Sequence, residues 1–390
     1  MTLSATPAAR NAGFRLSLLY AATFLTMGVQ IPFLPVWLGA RGLGDHEIAF
    51  ILSAPQFLRV VATPLFAQWA DRRGDFVGLL VASLVVMTGL GALLGFLSGF
   101  APIFVAVTLF TCAQGVSMPL NDALTFAVIR ARDNLEYGRI RKWGSAAYIA
   151  GNLAAGLLLG LTGVSIIPYS IAGAALLSVG AALYAAPLGA LTHASTPQAP
   201  EGSSGRGLGL LIPVIGAAAL IQCSHSLVNT FGSLHWAREG YSSAFIGAAW
   251  AIGVVGETTF FALAGRWIAG PQRAIGLLAL GGVTALLRWL VMTSDPGAFL
   301  LALAQAAHGF SFAATHMGSM LLIFELAPHA MRARAQGWLT AASAGASAII
   351  VALCGPLYAE LGESAYLVMA AIAAAGVVIA LFVSLRLRRA

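Results

Sequence analysis

Three ionisable side chains stand in stretches that are otherwise almost free of charge: Glu257 within GVVGETTFF, Arg288 within LLRWL and His308 within AAHGFSF. A charge at bilayer depth costs at least about 2.5 kcal/mol on the mildest insertion scales, and such groups pair with one another or mark ion pathways. At 1.5 Å per helical residue, Glu257 lies roughly 20 Å below the outer end of its apolar run and His308 at a similar depth. Arg288 lies roughly 9 Å down, with a side chain long enough to reach inward. The chemistry open to this set is proton binding. A carboxylate that is neutral in one state and ionised and paired in another links a proton to a conformation. Arg288 is the expected counter-ion of Glu257, and His308 either orients the carboxylate or relays its proton. The alternative is a fixed salt bridge that only locks two helices. Coupling is favoured over it because buried ion pairs contribute little net stability.

A second group could hold a solute. Asp122 follows Asn121 and lies three residues past Pro119, which frees a backbone carbonyl and can bend the helix. Asp122 is a rival proton carrier, or else a helix-end carboxylate paired with Arg130 or Arg132. Arg141 can grip a carboxylate bidentately or serve as a cytoplasmic anchor. Arg59, in the middle of an apolar run, lines a cavity, meets a carboxylate of the other half or is purely structural. His316, eight residues past His308, shares a broad face with it, and polar packing is favoured over a cavity role. His225 and Asn229, one turn apart, face either the cavity or a neighbouring helix.

These residues must be positioned by membrane-spanning helices. Of 390 residues, 59% are hydrophobic and only 9% charged, against about 25% charged in soluble domains. Apolar runs near the ~20 residues needed to cross a bilayer fall at 14–38, 46–70, 76–96, 101–129, 140–162, 166–187, 209–234, 244–264, 274–293, 297–327, 335–358 and 363–385. The reading is an all-α membrane protein: twelve transmembrane helices in two six-helix pseudo-symmetric bundles. Residues 1–190 form the N-terminal bundle, 191–208 a Pro-, Gly- and Ser-rich cytoplasmic linker, and 209–390 the C-terminal bundle. The halves repeat. Setting Gly42 on Gly240 sets Ile48 on Ile246, Trp69 on Trp267, GLL at 78–80 on GLL at 276–278 and Val85 on Val283, without a gap. Arg59 then falls on Glu257. Such a repeat is a signature of secondary transporters, whose substrate sites lie near mid-membrane at the repeat interface. The glycines Gly151, Gly156 and Gly160 of the fifth span read as close packing.

Orientation follows from the basic residues. All 21 Lys and Arg except Arg41, Arg59, Arg238 and Arg288 fall in or beside segments that are cytoplasmic when both termini are inside. That bias accounts for the net charge of +7 through the anionic lipid surface, with no nucleic acid partner. The three cysteines lie in apolar runs without CxxC spacing, which gives neither a disulfide framework nor a metal site. HEIAF lacks the second histidine of a zinc-protease motif, and no strand precedes GSSGRGLG as a phosphate loop requires. The only lysine, Lys142, has no nucleotide-binding context. No cofactor is implied, and a membrane enzyme or a transporter-like receptor is a poor alternative.

AQWADRRG at 67–74, PLNDAL, YGRIRKWGSAAYIAG, GVVGE, LLRW and AAHGFSFAATH together resemble the major facilitator superfamily over nearly the full chain. Within it, the chain looks closest to the phenylpropionate permease-like group, near lactose permease and the nucleoside–proton symporters. The resemblance implies a monomeric carrier in the bacterial inner membrane that couples uptake of a small solute to protons, with Arg141 in the place of a substrate-binding arginine. It also implies an inner gate at Asp71 and Arg72. Ala67, Asp75 and Phe76 depart from the loop pattern. Ser311 stands where lactose permease carries a proton-bearing glutamate, three residues past the helix-10 histidine, which leaves Glu257 or Asp122 as carrier if this chain is proton-coupled. An efflux transporter of the same fold is the runner-up. Cysteines placed beside Arg41 and Arg238 should label from outside the cell, and cysteines in 191–207 should not. External labelling of the linker would contradict this topology.

Overall fold

The computed structural model describes residues 11–58, 76–132, 135–191, 208–264, 270–328 and 331–389. Within them the apolar runs are helical, as they must be where no water can satisfy backbone groups. In chain order they are α1 (Ala12–Ala40), α2 (45–58 in its described part), α3 (Phe76–Leu94), α4 (Phe100–Arg130), α5 (Tyr137–Thr162) and α6 (Ile166–Ala185). A 3₁₀ turn, Ala186–Leu191, follows α6. Next come α7 (Leu208–Cys223, continuing irregularly to Arg238), α8 (Ser243–Ala264), α9 (Pro271–Met292), α10 (298–326), α11 (Arg332–Leu361) and α12 (Tyr366–Arg389). Ten stretches among the described residues are long and apolar enough to cross a membrane, and the last of them, Arg334–Arg388, runs through both α11 and α12.

The internal repeat has a structural basis. Gly42 and Gly240 both adopt left-handed backbone angles, φ +81° and +84°. Each ends its helix in the same way. Leu43 N–H returns to Leu38 O and Tyr241 N–H to Trp236 O, the wide bond of a Schellman cap. The repeated glycine is thus a cap that an L side chain would strain. Ile48 and Ile246 open the next helices with equivalent bonds to Gly44 O and Ser242 O.

The chain divides into two compact units: residues 1–196 with Ser233–Ala251, and residues 197–232 with Ile252–Ala390. In the first, α1 packs on α5 and α6, and α3 on α4 and α6. In the second, α7 packs on α11 and α12, and α9 on α10 and α12. This is one arrangement repeated six helices later. The segment 233–251 belongs to the first unit although it follows the linker in sequence. It contains the end of α7, the turn after it and the start of α8. Arg238 holds Asp45 at the start of α2 through two bonds of 2.8 and 3.2 Å. Trp250 Nε1 donates to Ser233 Oγ at 2.8 Å, tying α8 to α7.

Small residues set how closely these helices approach, as expected where packing replaces the hydrophobic effect. A Cβ on Gly28 would lie 2.5 Å from Tyr148 O, one on Gly151 2.9 Å from Leu25 O, and one on Gly156 2.5 Å from Ser243 O. Gly247 sits against Asn152 O in the same manner. The close-packing expectation therefore holds for Gly151 and Gly156, while Gly160 faces open space. Gly156→Val should destabilise by about 1–3 kcal/mol, the usual cost of overpacking, read as a lower thermal midpoint in detergent. Gly160→Ala should leave the midpoint unchanged or raise it. Equal effects at the two positions would contradict the packing.

Candidate functional site

In the second unit, two helices lose their regular bonding at the same place. α7 breaks in a turn at Ser224–His225 and continues through a π-helical segment, Val228–Gly232. α10 turns at Ala307 and passes through a second π segment, Gly309–Ala313. Such irregularities free backbone groups and accompany functional sites. Here they surround Arg288, which is only 4% exposed. Its Nε donates to Ala304 O at 2.6 Å, Nη2 to Gln305 Oε1 at 3.1 Å and Nη1 to Ser311 Oγ at 2.7 Å. Nη1 also stands 3.4 Å from His308 Nδ1. The guanidinium covers the neighbouring Trp289 ring at 4.7 Å. That indole donates to Ser224 Oγ at 3.0 Å and stacks on Tyr366 of α12. His225 closes the group, with Nδ1 3.1 Å from Ile221 O and Nε2 3.1 Å from Ser311 Oγ.

Glycines bring Glu257 to this cluster. Gly256 of α8 and Gly309 of α10 meet backbone to backbone, and Gly253 lies over Gln305 O and His308 Cβ. The VVGE stretch thus places Glu257 on the histidine, with Oε2 3.9 Å from His308 Nε2. The sequence expectation of Arg288 directly against Glu257 is refined here. His308 lies between them, meeting the arginine with one ring nitrogen and the carboxylate with the other. His316 stands edge-to-face with Phe261 of α8.

In the first unit three helices each contribute a pair one turn apart: Tyr20 and Phe24 from α1, Asp122 and Phe126 from α4, Tyr137 and Arg141 from α5. The i, i+4 spacing puts each pair on one helix face. Asp122 accepts from Tyr20 Oη and, at 3.2 Å, from Tyr137 Oη, not from Arg130 or Arg132. Phe126 stacks on Tyr137 with centroids 4.8 Å apart. Arg141 lies over the Phe24 ring at 4.3 Å and the Tyr20 ring at 5.5 Å. Gly144 leaves room for Phe24. The guanidinium of Arg141 meets aromatic faces and no hydrogen-bond acceptor among the described residues. Asn121 is fully buried with neither end of its amide paired among the described residues. Arg59, Asp71 and Arg72 lie outside the described residues. Nothing in the amino-acid order marks Gln305, Tyr20 or Tyr137 as partners, because no motif announces neutral acceptors and phenols.

Among the described residues the regular structure is all helical, with long apolar helices in two repeated arrangements, the build of a multi-pass membrane protein. The chain belongs to the MFS_1 like family, whose model matches residues 14–368. It is 27% identical over 371 residues to the probable 3-phenylpropionic acid transporter of Escherichia coli (strain K12), covering 92% of this chain and 94% of that protein. It is 28% identical over 382 residues to the maltose permease of Geobacillus stearothermophilus, covering 96% and 95%. Among solved structures it resembles the nucleoside transporter NupG, with TM-score 0.75 and 16% identity over 96% of this chain and 98% of that one. It also resembles a bacterial homologue of the iron transporter ferroportin in an inward-facing state, with TM-score 0.74 and 15% identity over 96% and 99%. The chain is therefore a membrane transporter of the major facilitator type. Removing one phenol from Asp122, by Tyr20→Phe, should cost about 1–3 kcal/mol, because a part-buried carboxylate loses a donor. Thermal unfolding in detergent would check it. An unchanged midpoint would mean that Tyr20 does not hold the carboxylate.

Proposed function

We propose that this chain is a proton symporter that carries a small organic anion, such as an aromatic carboxylate, by alternating access. It does so as a monomer in the bacterial inner membrane with both termini cytoplasmic. The finer architecture belongs to the same reading: twelve spans, in bundles 1–190 and 209–390 joined by a cytoplasmic linker at 191–208. So do an inner gate at Asp71 and Arg72 and cavity roles for Arg59 and Asn121, while His316 is read as a packing residue against Phe261.

The observation that carries the coupling is the line from Arg288 through His308 to Glu257. The three nitrogens of Arg288 donate to neutral acceptors, and Glu257 stands on the far side of His308, with Oε2 3.9 Å from Nε2, where its carboxyl can bind or release a proton. The ionised carboxylate gains from the imidazole N–H and the cation behind it. The neutral acid gains from losing its charge in an apolar bundle. A conformational change that alters solvent access to Glu257 favours one state over the other, which links proton to conformation.

The observation that supports an anion is Arg141. Its guanidinium is held by two rings with donors to spare, the arrangement that recognises a planar carboxylate bidentately, and the flanking aromatic faces suit an apolar ring. The name of the Escherichia coli relative agrees with this chemistry. The name of the maltose permease keeps a sugar as the second reading, and efflux by the same fold is the alternative direction.

Purified protein in vesicles tests the assignment with 3-phenylpropionate and maltose as solutes. Glu257→Gln, which mimics the protonated acid, should retain exchange of solute across the membrane and lose accumulation driven by a pH gradient. Arg141→Lys should weaken half-saturation at least about tenfold, the loss of roughly 1.4 kcal/mol of bidentate contact. Full pH-driven accumulation by Glu257→Gln together with its loss in Asp122→Asn would move the coupling site to α4.

A further inference from the structure

The polar side chains around Arg288 admit one consistent placement of protons. A guanidinium only donates. The lone pair of His308 therefore sits on Nδ1, 3.4 Å from Arg288 Nη1. In the neutral ring the proton is on Nε2, the nitrogen that faces Glu257 across 3.9 Å. A carbonyl only accepts, so His225 Nδ1 carries its proton toward Ile221 O at 3.1 Å. His225 Nε2 is then an acceptor, and Ser311 must donate to it at 3.1 Å, since two lone pairs would otherwise face each other. The serine hydroxyl has one proton. It spends that proton on His225 in preference to His308 O at 3.2 Å and accepts from Arg288 at 2.7 Å.

We infer that Ser311, oriented by His225, and Gln305 are positioning residues that hold His308 as a fixed neutral donor to Glu257, not as a proton relay. They anchor Arg288 so that it covers Nδ1, the only site at which His308 could take up a second proton. Among the described residues, the charged and titratable groups facing His308 are Arg288 from α9, Glu257 from α8 and His225 from α7, with Tyr366 of α12 behind Trp289. Protonation at Nδ1 would set an imidazolium against the guanidinium. Of the two residues, Glu257 and not His308 therefore binds and releases the proton, with Nε2–H of His308 stabilising the ionised carboxylate across the 3.9 Å between them. The two histidines hold opposite tautomers. This rests on the reading of Glu257 as the coupling site.

Nitrogen NMR of the full chain, labelled with ¹⁵N-histidine in lipid nanodiscs, tests the assignment without a solute. The His225 signal, identified by its loss in His225→Asn, should report Nδ1–H. The His308 signal, identified in His308→Asn, should report Nε2–H, and neither should titrate between about pH 5 and 8, where free imidazole does. Ser311→Ala should mix the His308 tautomers and let the ring titrate, and Ser311→Thr should restore the wild-type pattern. In vesicles with 3-phenylpropionate, Ser311→Ala should shift the pH of half-maximal accumulation by about one unit, a tenfold change in proton affinity, and Ser311→Thr should not. A wild-type His308 that carries Nδ1–H or titrates in this range overturns the inference. So does a Ser311→Ala protein with unchanged tautomers and pH profile. The assigned tautomers found together with pH-independent transport would support the positioning and overturn the coupling reading.

Discussion

A permanently charged arginine inside an apolar bundle must have its donors occupied, and the second unit is built around that demand. Arg288 is almost fully buried, and no regular helix can offer it enough acceptors. The chain supplies them by departing from regularity. Ala304 O accepts just before the turn at Ala307, and the π segment of α10 presents Ser311. The turn in α7 presents His225 to Ser311. Each acceptor is neutral, so the cation is solvated without being cancelled. Glu257 stands beyond the imidazole, with Oε2 3.9 Å from His308 Nε2.

The first unit solves the opposite problem. Arg141 rests on Phe24 and Tyr20, surfaces that attract a cation without consuming its N–H groups. Asp122 is kept from it by two phenols. Arg288 has an acceptor on each of its three nitrogens, and Arg141 meets none among the described residues. A saturated arginine holds structure and sets a local field. An unsaturated one beside aromatic faces is the observation behind the proposal of a planar anion as solute. The glycines serve both ends, since Gly144 admits Phe24 and Gly256 with Gly309 seats Glu257 on His308.

Much of this was legible in the amino-acid order. Helices follow from apolar length, and the ends of α1, α4, α6 and α9 fall within three residues of the expected spans. The repeat was visible through Gly42 and Gly240, because a left-handed cap leaves glycine as its trace. The company of Glu257 and His308 followed from their matching depth. Partners across helices were not legible. Arg288 was expected on Glu257 because opposite charges attract, yet five donors on a buried guanidinium demand several acceptors, and neutral oxygens leave no mark in the sequence. Asp122 was weighed against Arg130 and Arg132, which lie near it along the chain, while helix crossing brings Tyr20 from a hundred residues away. The glycine pattern named Gly160 alongside Gly156, but only a neighbouring helix decides which glycine is close to anything.

Infrared difference spectra of the protein in lipid, recorded across a pH step, test the coupling site most directly. A protonated carboxylic acid has a carbonyl band that its ionised form lacks. If Glu257 is the group that binds the coupled proton, that band appears on acidification of the wild type and of Asp122→Asn, and is missing from Glu257→Gln. A band that persists in Glu257→Gln and vanishes in Asp122→Asn would contradict this and place the proton on α4.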